Sequence, residues 1–327
     1  MDIVLLVLKD IRPDWVIVQY EAYSYSAKGF PYPFVWLYRS LNKVKIPILT
    51  VFHEIMIRKE GNLKKTILSN LQTNLAHRLA RLSTHVVTSI DFYARILNQN
   101  PNKISIIPVG SNILPMPIRE HEQRELRQKY NIAQDAKVVC TFGNRDVSAF
   151  LPTFDKLKTD FPNLVWLICG KTITPLCTLD SRSYIRHTGK MSAYDIHAHL
   201  SLGHVFFMPD FVAANGEGGS CNKSGTLACA FSLNIPIIGT KGDMNNALLK
   251  DGENILLTDI IHTPDALYDN FKACLSSKKY ADDLGNCAKE LYKKSLTWQI
   301  IATQFLKIMP PSVFEVKMKT EKILGGH

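Results

Sequence analysis

The sequence lacks most of the features that would settle a functional class at once. None of its seven cysteines lies in a C-x-x-C pair; they are scattered over positions 140, 169, 177, 221, 229, 274 and 287. That scatter excludes a zinc module and a disulfide framework and suits a reducing cytoplasm. No apolar run reaches the ~18 residues of a membrane-spanning helix. The opening MDIVLLVLKDIRPDW has no basic leader and no small-residue cleavage site, and Asp2, Lys9 and Asp10 interrupt it. It reads as an amphipathic helix rather than a signal peptide. No two aspartates are separated by a single residue, so a D-x-D metal–diphosphate motif is absent. No internal repeat or low-complexity tract is present either.

What is there describes a globular chain. Its 327 residues exceed one ordinary core and fit two domains. A hydrophobic content of 46% with 21% charged residues excludes global disorder. The net charge of +10 favours anionic company: nucleic acid, lipid headgroups or nucleotide diphosphates. No nucleic-acid module is recognisable and the basic residues are spread rather than arrayed, so a nucleic-acid partner is not expected.

Short apolar runs alternate with longer amphipathic stretches, the pattern of parallel sheets flanked by helices. The first half offers strands at Trp15–Gln19, Ile46–Phe52, Thr84–Ser89 and Ile104–Pro108. The second offers Lys137–Phe142, Leu164–Cys169, Ser183–His187, Val205–Met208 and Pro236–Gly239. Between the halves, Pro115 and Pro117 stiffen a stretch followed by a run dense in Glu and Arg. This organisation predicts an N-terminal domain over 1–112, a linker over 113–135, a C-terminal domain over 136–295 and a last helix with tail over 296–327.

In the predicted helix over Asn62–Leu82, Leu63, Ile67, Leu71, Leu75 and Leu79 recur every four residues, with Lys64, Lys65, Arg78 and Arg81 mostly off that line. A helix packed on its own sheet explains the pattern, and so does a basic face set against anionic lipid. Both hold if the helix is only partly covered. Gly170-Lys171-Thr172 ends like a P-loop, but the glycine required five residues earlier is Val165. His197 and His199, two apart on a predicted helix, face away from each other; they read as surface or half-buried histidines. Nothing near Cys221 would activate its thiol.

Ligands of doubly wound sheets bind beyond the carboxyl ends of the strands. Two loops stand there. One is Gly143-Asn144-Arg145, where Gly143 admits a phosphate to the backbone and Arg145 offers paired donors. The other runs from Asn215 to Leu227 and enters an apolar helix. In it Gly218 and Gly219 are expected to aim backbone N–H groups at an anion. Ser220, Ser224 and Thr226 add hydroxyls, Lys223 adds charge, and the helix presents its positive end. Glu217 is a carboxylate suited to sugar hydroxyls.

The block FMPDFVAANGEGGSCNKSGTLACAFSLNIPIIGTKG resembles the donor-binding segment of the retaining GT-B glycosyltransferases, in particular the bacterial family-4-like, group 1 enzymes. ISIIPVGSN at 104–112, FGN at 142–144, LICGK at 167–171, DGENILL at 251–257 and Leu296-Thr297-Trp298 resemble further pieces of that family in the right order. Upstream, Val18–Glu21 and Thr50–Glu54 resemble its acceptor-domain strands. The resemblance implies an α/β fold of two Rossmann-like domains with parallel sheets facing a cleft. It implies a metal-independent hexosyltransferase that needs no cofactor and takes a nucleotide-diphosphate sugar as substrate. The acceptor would be lipid-linked or a glycan, in cell-surface polysaccharide synthesis, with the enzyme cytoplasmic and peripheral at an anionic inner membrane face.

By the same resemblance Glu217 faces the donor sugar, Gly218, Gly219 and Ser220 form the nest beside it, and His53 touches the transferred sugar. The departing diphosphate guides the acceptor hydroxyl while Arg145 and Lys223 stabilise its charge. Three departures stand out. Gly225 replaces a second glutamate expected eight residues after Glu217, with Ser224 and Thr226 as substitutes. The usual basic pair falls on Ala149 and Phe150. The N-terminal domain is expected to be shortened at its front, which keeps a catalytically impaired, sugar-nucleotide-binding homologue in view.

Overall fold

The computed structural model describes residues 2–11, 13–59 and 62–310. It divides into two compact units, one of residues 1–107 with 299–327 and one of residues 108–298. No described helix is long and apolar enough to cross a membrane. Of the expected tail, everything beyond residue 310 lies outside the described residues.

The first unit is built on four parallel strands in sequential order: β1 (Val16–Tyr20), β2 (Ile48–Phe52), β3 (His85–Thr88) and β4 (Ile104–Ile106). Right-handed crossovers in such sheets carry helices, here Phe34–Lys43, Leu63–Leu82 and Asp91–Leu97. All five residues of the inner strand β2 are buried, whereas β1 alternates because it lies at the sheet edge. The helix Trp298–Ile308 adds Ile301 to this core, against Leu49, Val51, Val87 and Ile107.

The second unit holds six parallel strands: β5 (Val138–Phe142), β6 (Val165–Cys169), β7 (Ile185–His187), β8 (Val205–Phe207), β9 (Ile237–Thr240) and β10 (Leu256–Thr258). Their order is β10-β9-β8-β5-β6-β7. The chain therefore winds outward from β5 through β7, then returns to β8 on the other side. That is the doubly wound order, with its reversal between β5 and β8. Alternation along each strand feeds two apolar layers. Val138 and Cys140 enter one, Val139 the other; Val165 and Leu167 enter the first, Trp166 and Ile168 the second. In the second layer the Phe154 and Trp166 rings stack with centroids 3.6 Å apart.

The stretch 113–135 carries the helix Glu120–Lys129, and Leu126, Tyr130, Ile113 and Ile132 join the core of the second unit. Its Glu- and Arg-rich composition gives one exposed face, and the few apolar residues give the other. His197 and His199 are both buried, because the helix Ala193–Leu200 is covered on both sides of that pair. His199 Nδ1 bonds the carbonyl of Asp195 at 2.6 Å, and its ring meets Tyr130 edge-on. The strand β10 is not among the nine that the sequence predicts.

At the foot of β5, His204 Nδ1 accepts the N–H of Val138 at 3.1 Å. Burial, followed by the charges of Lys137 and Arg127, pushes its pKa down to about 4. A depressed histidine pKa means the folded state resists the proton. The associated stability is fully present above the unfolded value near 6.5 and is lost as pH falls toward 4. The expected loss is up to about 3 kcal/mol, lessened by partial exposure. Urea unfolding of wild type and His204→Gln at about pH 7 and about pH 4.5 checks this: the acid-induced drop should be smaller in the variant.

Candidate functional site

Beyond the carboxyl ends of β5 and β8, where the strand order reverses, two loops converge. Gly143 leaves β5 with φ +105°, and a Cβ placed there would lie 3.4 Å from Thr226 Oγ1 and 3.7 Å from Arg145 Nε. The turn after β5 therefore rests against the start of the helix Gly225–Ser232. The Arg145 carbonyl is held by Ile173 N–H and Thr172 Oγ1, both at 2.9 Å, from the loop after β6. Asp146 pins the same turn by accepting from Ser148 and Thr174, and those bonds, Ser148's first, hold its pKa low. Asn144 between them is exposed.

The Arg145 guanidinium points at Asp210, which follows β8, and Nη1 donates to its carboxylate. Burial raises the Asp210 pKa even though Arg145, Ser220 and Lys223 all pull it down. Arg145 Nε is buried and has no acceptor among the described residues. Arg145, expected to offer paired donors to a phosphate, is thus paired within the chain to Asp210. Asp210 is not singled out by motif reading, although its place directly after a strand at the reversal point is a signal the sequence offers.

The glycine-rich loop departs from expectation more sharply. Gly218 N–H is donated to Asp243 Oδ1 at 2.9 Å, Gly219 N–H to the Phe211 carbonyl at 3.0 Å, and Ser220 N–H to the Thr240 carbonyl at 2.9 Å. None of the three is free to meet an anion. These glycines serve close approach of backbones instead. A Cβ on Gly218 would stand 2.2 Å from the Phe211 oxygen, and one on Gly219 would stand 2.7 Å from Gly242 N. Ser220 is fully buried; its hydroxyl accepts the N–H of Thr240 and bonds Asp210. Asn245 clamps the same loop through Ser220 O at 2.6 Å and Gly242 N–H at 2.8 Å.

The donors that remain lie five to eight residues further on. Ser224 caps the helix by accepting the N–H of Leu227 at 3.4 Å. The N–H groups of Gly225 and Thr226 have no hydrogen-bond acceptor among the described residues, and Thr226 Oγ1 faces the Gly143 turn. A Cβ on Gly225 would sit 3.4 Å from the Gly110 carbonyl, so bulk there is restrained by the segment after β4. Lys223 is partly exposed beside them, close enough to lower the Asp210 and Cys221 pKa values. The Cys221 thiol itself is pushed up to about 11 by burial, which keeps it unreactive. Glu217 tops a tight hairpin closed by Ala213 N–H to Glu217 O at 2.9 Å; its half-exposed carboxylate has no partner among the described residues.

His53 belongs to the first unit and follows β2. Its Nε2 pairs with Gln19 Oε1 at 2.7 Å, and its N–H is donated to the Tyr20 carbonyl at 3.0 Å. The ring is open to solvent at its edge, yet the surrounding protein lowers its pKa, opposed by Glu21 and Glu54. The carboxylate of Glu21 is itself committed to capping a short helix through Tyr23 and Ser24.

No protein-family model matches the sequence, and no curated protein matches it either. Solved structures do. HepE from Anabaena, in complex with UDP and glucose, superposes with a TM-score of 0.65 at 14% identity, covering 95% of this chain and 81% of its own. Sucrose-phosphate synthase from Thermosynechococcus elongatus gives 0.69 at 14% identity, over 93% and 75%. A glycosyltransferase from Rickettsia africae gives 0.66 at 14% identity, over 100% and 81%. The fold is GT-B. In this GT-B chain the two loops named from sequence, around Gly143 and Thr226, meet at one end of the second sheet, while the 218–220 turn is held in place by bonds to Asp243, Phe211 and Thr240.

Proposed function

We propose that this GT-B protein is a glycosyltransferase whose second unit takes a nucleotide-diphosphate sugar. The observation that carries the reading is the meeting of the Gly143 turn with the free N–H groups of Gly225 and Thr226 at the strand-order reversal. Backbone donors at a helix start, with Lys223 adjacent, suit a diphosphate. Glu217, with no side-chain partner among the described residues, is suited to accept from sugar hydroxyls. Arg145, neutralised by Asp210, acts by shaping the pocket wall. His53 is the first unit's candidate contact to a sugar hydroxyl; its lowered pKa favours the neutral imidazole at pH 7.

The reaction proposed is transfer of a hexose with retention, without a metal or cofactor, to a lipid-linked or polysaccharide acceptor in cell-surface polysaccharide synthesis. Leaving-group charge would be met by fixed dipoles and Lys223, so catalysis is positioning and electrostatics. The solved complexes of HepE contain UDP and UDP-glucose, which makes uridine nucleotides the first to try. The pairing of Arg145 with Asp210 favours a second reading, a sugar-nucleotide-binding homologue with impaired turnover.

Calorimetric titration with nucleoside diphosphates and their hexose conjugates, alongside an assay of sugar release, tests this. Glu217→Ala should leave the affinity for the bare nucleotide unchanged. It should weaken the sugar conjugate about 10–100-fold, the worth of a charge-assisted hydrogen bond. Wild-type binding without sugar release selects the impaired reading; absence of all binding rejects both.

A further inference from the structure

The segment Phe30-Pro31-Tyr32-Pro33 alternates aromatic residues with prolines. Proline fixes its own φ and restricts the residue before it, so the stretch has little backbone freedom. The fold takes up what is left. Gln72 of the helix Leu63–Leu82 is buried; its Nε2 donates to the Gly29 carbonyl and its Oε1 accepts the N–H of Ile57, both at 2.8 Å. Tyr32 N–H is donated to the Phe30 carbonyl at 2.9 Å. Held in this way, the Phe30 and Tyr32 rings stack with centroids 5.9 Å apart. Tyr32 is nevertheless 37% exposed.

The helix supplies the opposite wall. Steps of four advance it by about 40° each beyond a full turn, so the row of apolar residues spirals: Leu63, Ile67 and Leu71 are exposed, Leu75 and Leu79 buried. Only the C-terminal half of that row enters the core. Where it turns inward, Leu71 and Leu75 join Phe30, Tyr32, Asn74 and Arg78 around a groove of about 410 Å³. Asn74 and Arg78 stand one turn apart on one face of the helix. Arg78 Nη1 donates to Tyr32 Oη at 3.1 Å, and its guanidinium carbon lies 5.9 Å from the centre of the Tyr32 ring. The phenol oxygen therefore accepts, and its own hydrogen has no acceptor among the described residues. No carboxylate pairs with Arg78 among the described residues, and the helix itself carries none. A pyranose has the matching double character. The C–H groups of its faces lie well against aromatic rings, while the hydroxyls of its rim meet amide, phenol and guanidinium groups. The guanidinium adds a preference for a carboxylate, and the volume is that of a small-molecule site.

We propose that this groove is a saccharide site for acidic glycans, with a sugar ring against Phe30 and Tyr32 and a uronate carboxylate on Arg78. It shares no residue with the candidate donor site and does not rest on the sugar-transfer reading. Calorimetric titration of the full chain with tetragalacturonate, and with its neutral methyl ester, tests it. The acid should bind at least about tenfold more tightly than the ester, the worth of one charge-assisted hydrogen bond. Arg78→Gln should erase that preference while the affinity for the ester stays. Tyr32→Ala should weaken both ligands by about tenfold through loss of the aromatic platform. Thermal midpoints should not move in either variant, since both side chains are exposed. No saccharide binding, equal affinity for acid and ester, or binding indifferent to both variants overturns the proposal. So does competition between tetragalacturonate and UDP-glucose, which would place the saccharide at the donor loops.

Discussion

Asp210→Ala is expected to destabilise the second unit by about 2–4 kcal/mol and to remove nucleotide binding. The carboxylate is largely buried, with 17% of the side chain in solvent, and raised in pKa by desolvation, so its ionised form is held in place by Arg145, Ser220 and Lys223. Its removal strands the Arg145 guanidinium, of which Nε already has no acceptor among the described residues. It also frees the Ser220 hydroxyl that ties the loop to β9. The cost falls short of a fully buried pair because the Arg145 side chain keeps 18% of its surface in solvent. Since burial outweighs attraction here, the pair as a whole contributes little net stability. Arg145→Met combined with Asp210→Leu should therefore recover most of the loss. Urea midpoints of the two single variants and the double variant decide the matter. A double variant worse than the sum of the singles would show that the ion pair itself holds the loop.

Gly218→Ala should be more damaging still, at about 3 kcal/mol or more. The residue has φ +120°, where a side chain is strained on any account, and its Cβ would meet a backbone oxygen at 2.2 Å. Backbone cannot swing aside as a side-chain tip can. The Val212–Gly218 bridge would open, carrying Glu217 away from the site with it. Gly216→Ala supplies the comparison. Its φ is +83° with nothing within 4 Å of an added Cβ, so it should cost only the conformational strain of about 1–2 kcal/mol. Thermal midpoints and nucleotide affinity measured on both variants separate the two costs. Equal losses would mean that close approach at Phe211 matters little.

These two glycines show where reading along the chain stops. Each of the nine strands expected from apolar runs is present to within two residues at either end, because alternation and β-branched content are local properties. The strand-end loops were locatable for the same reason, and their convergence follows from the doubly wound order. What the 218–220 amides bond was not legible. Their acceptors come from the loop after β8 (Phe211) and from the end of β9 and the turn that follows it (Thr240, Asp243), which only folding brings together. A glycine required for close backbone approach and one required for an anion look identical in sequence. Arg145 carries the same ambiguity, since its charge reveals nothing of the Asp210 that lies 65 positions away.

The amino-acid order by itself determined the α/β alternation, the two parallel sheets and the loops from which a ligand would be met, since periodicity and glycine placement act over a few residues. Tertiary packing alone decided which donors stay free, Gly225 and Thr226 rather than Gly218 and Gly219. It also decided which half of the helix Leu63–Leu82 faces water, because both depend on neighbours distant along the chain.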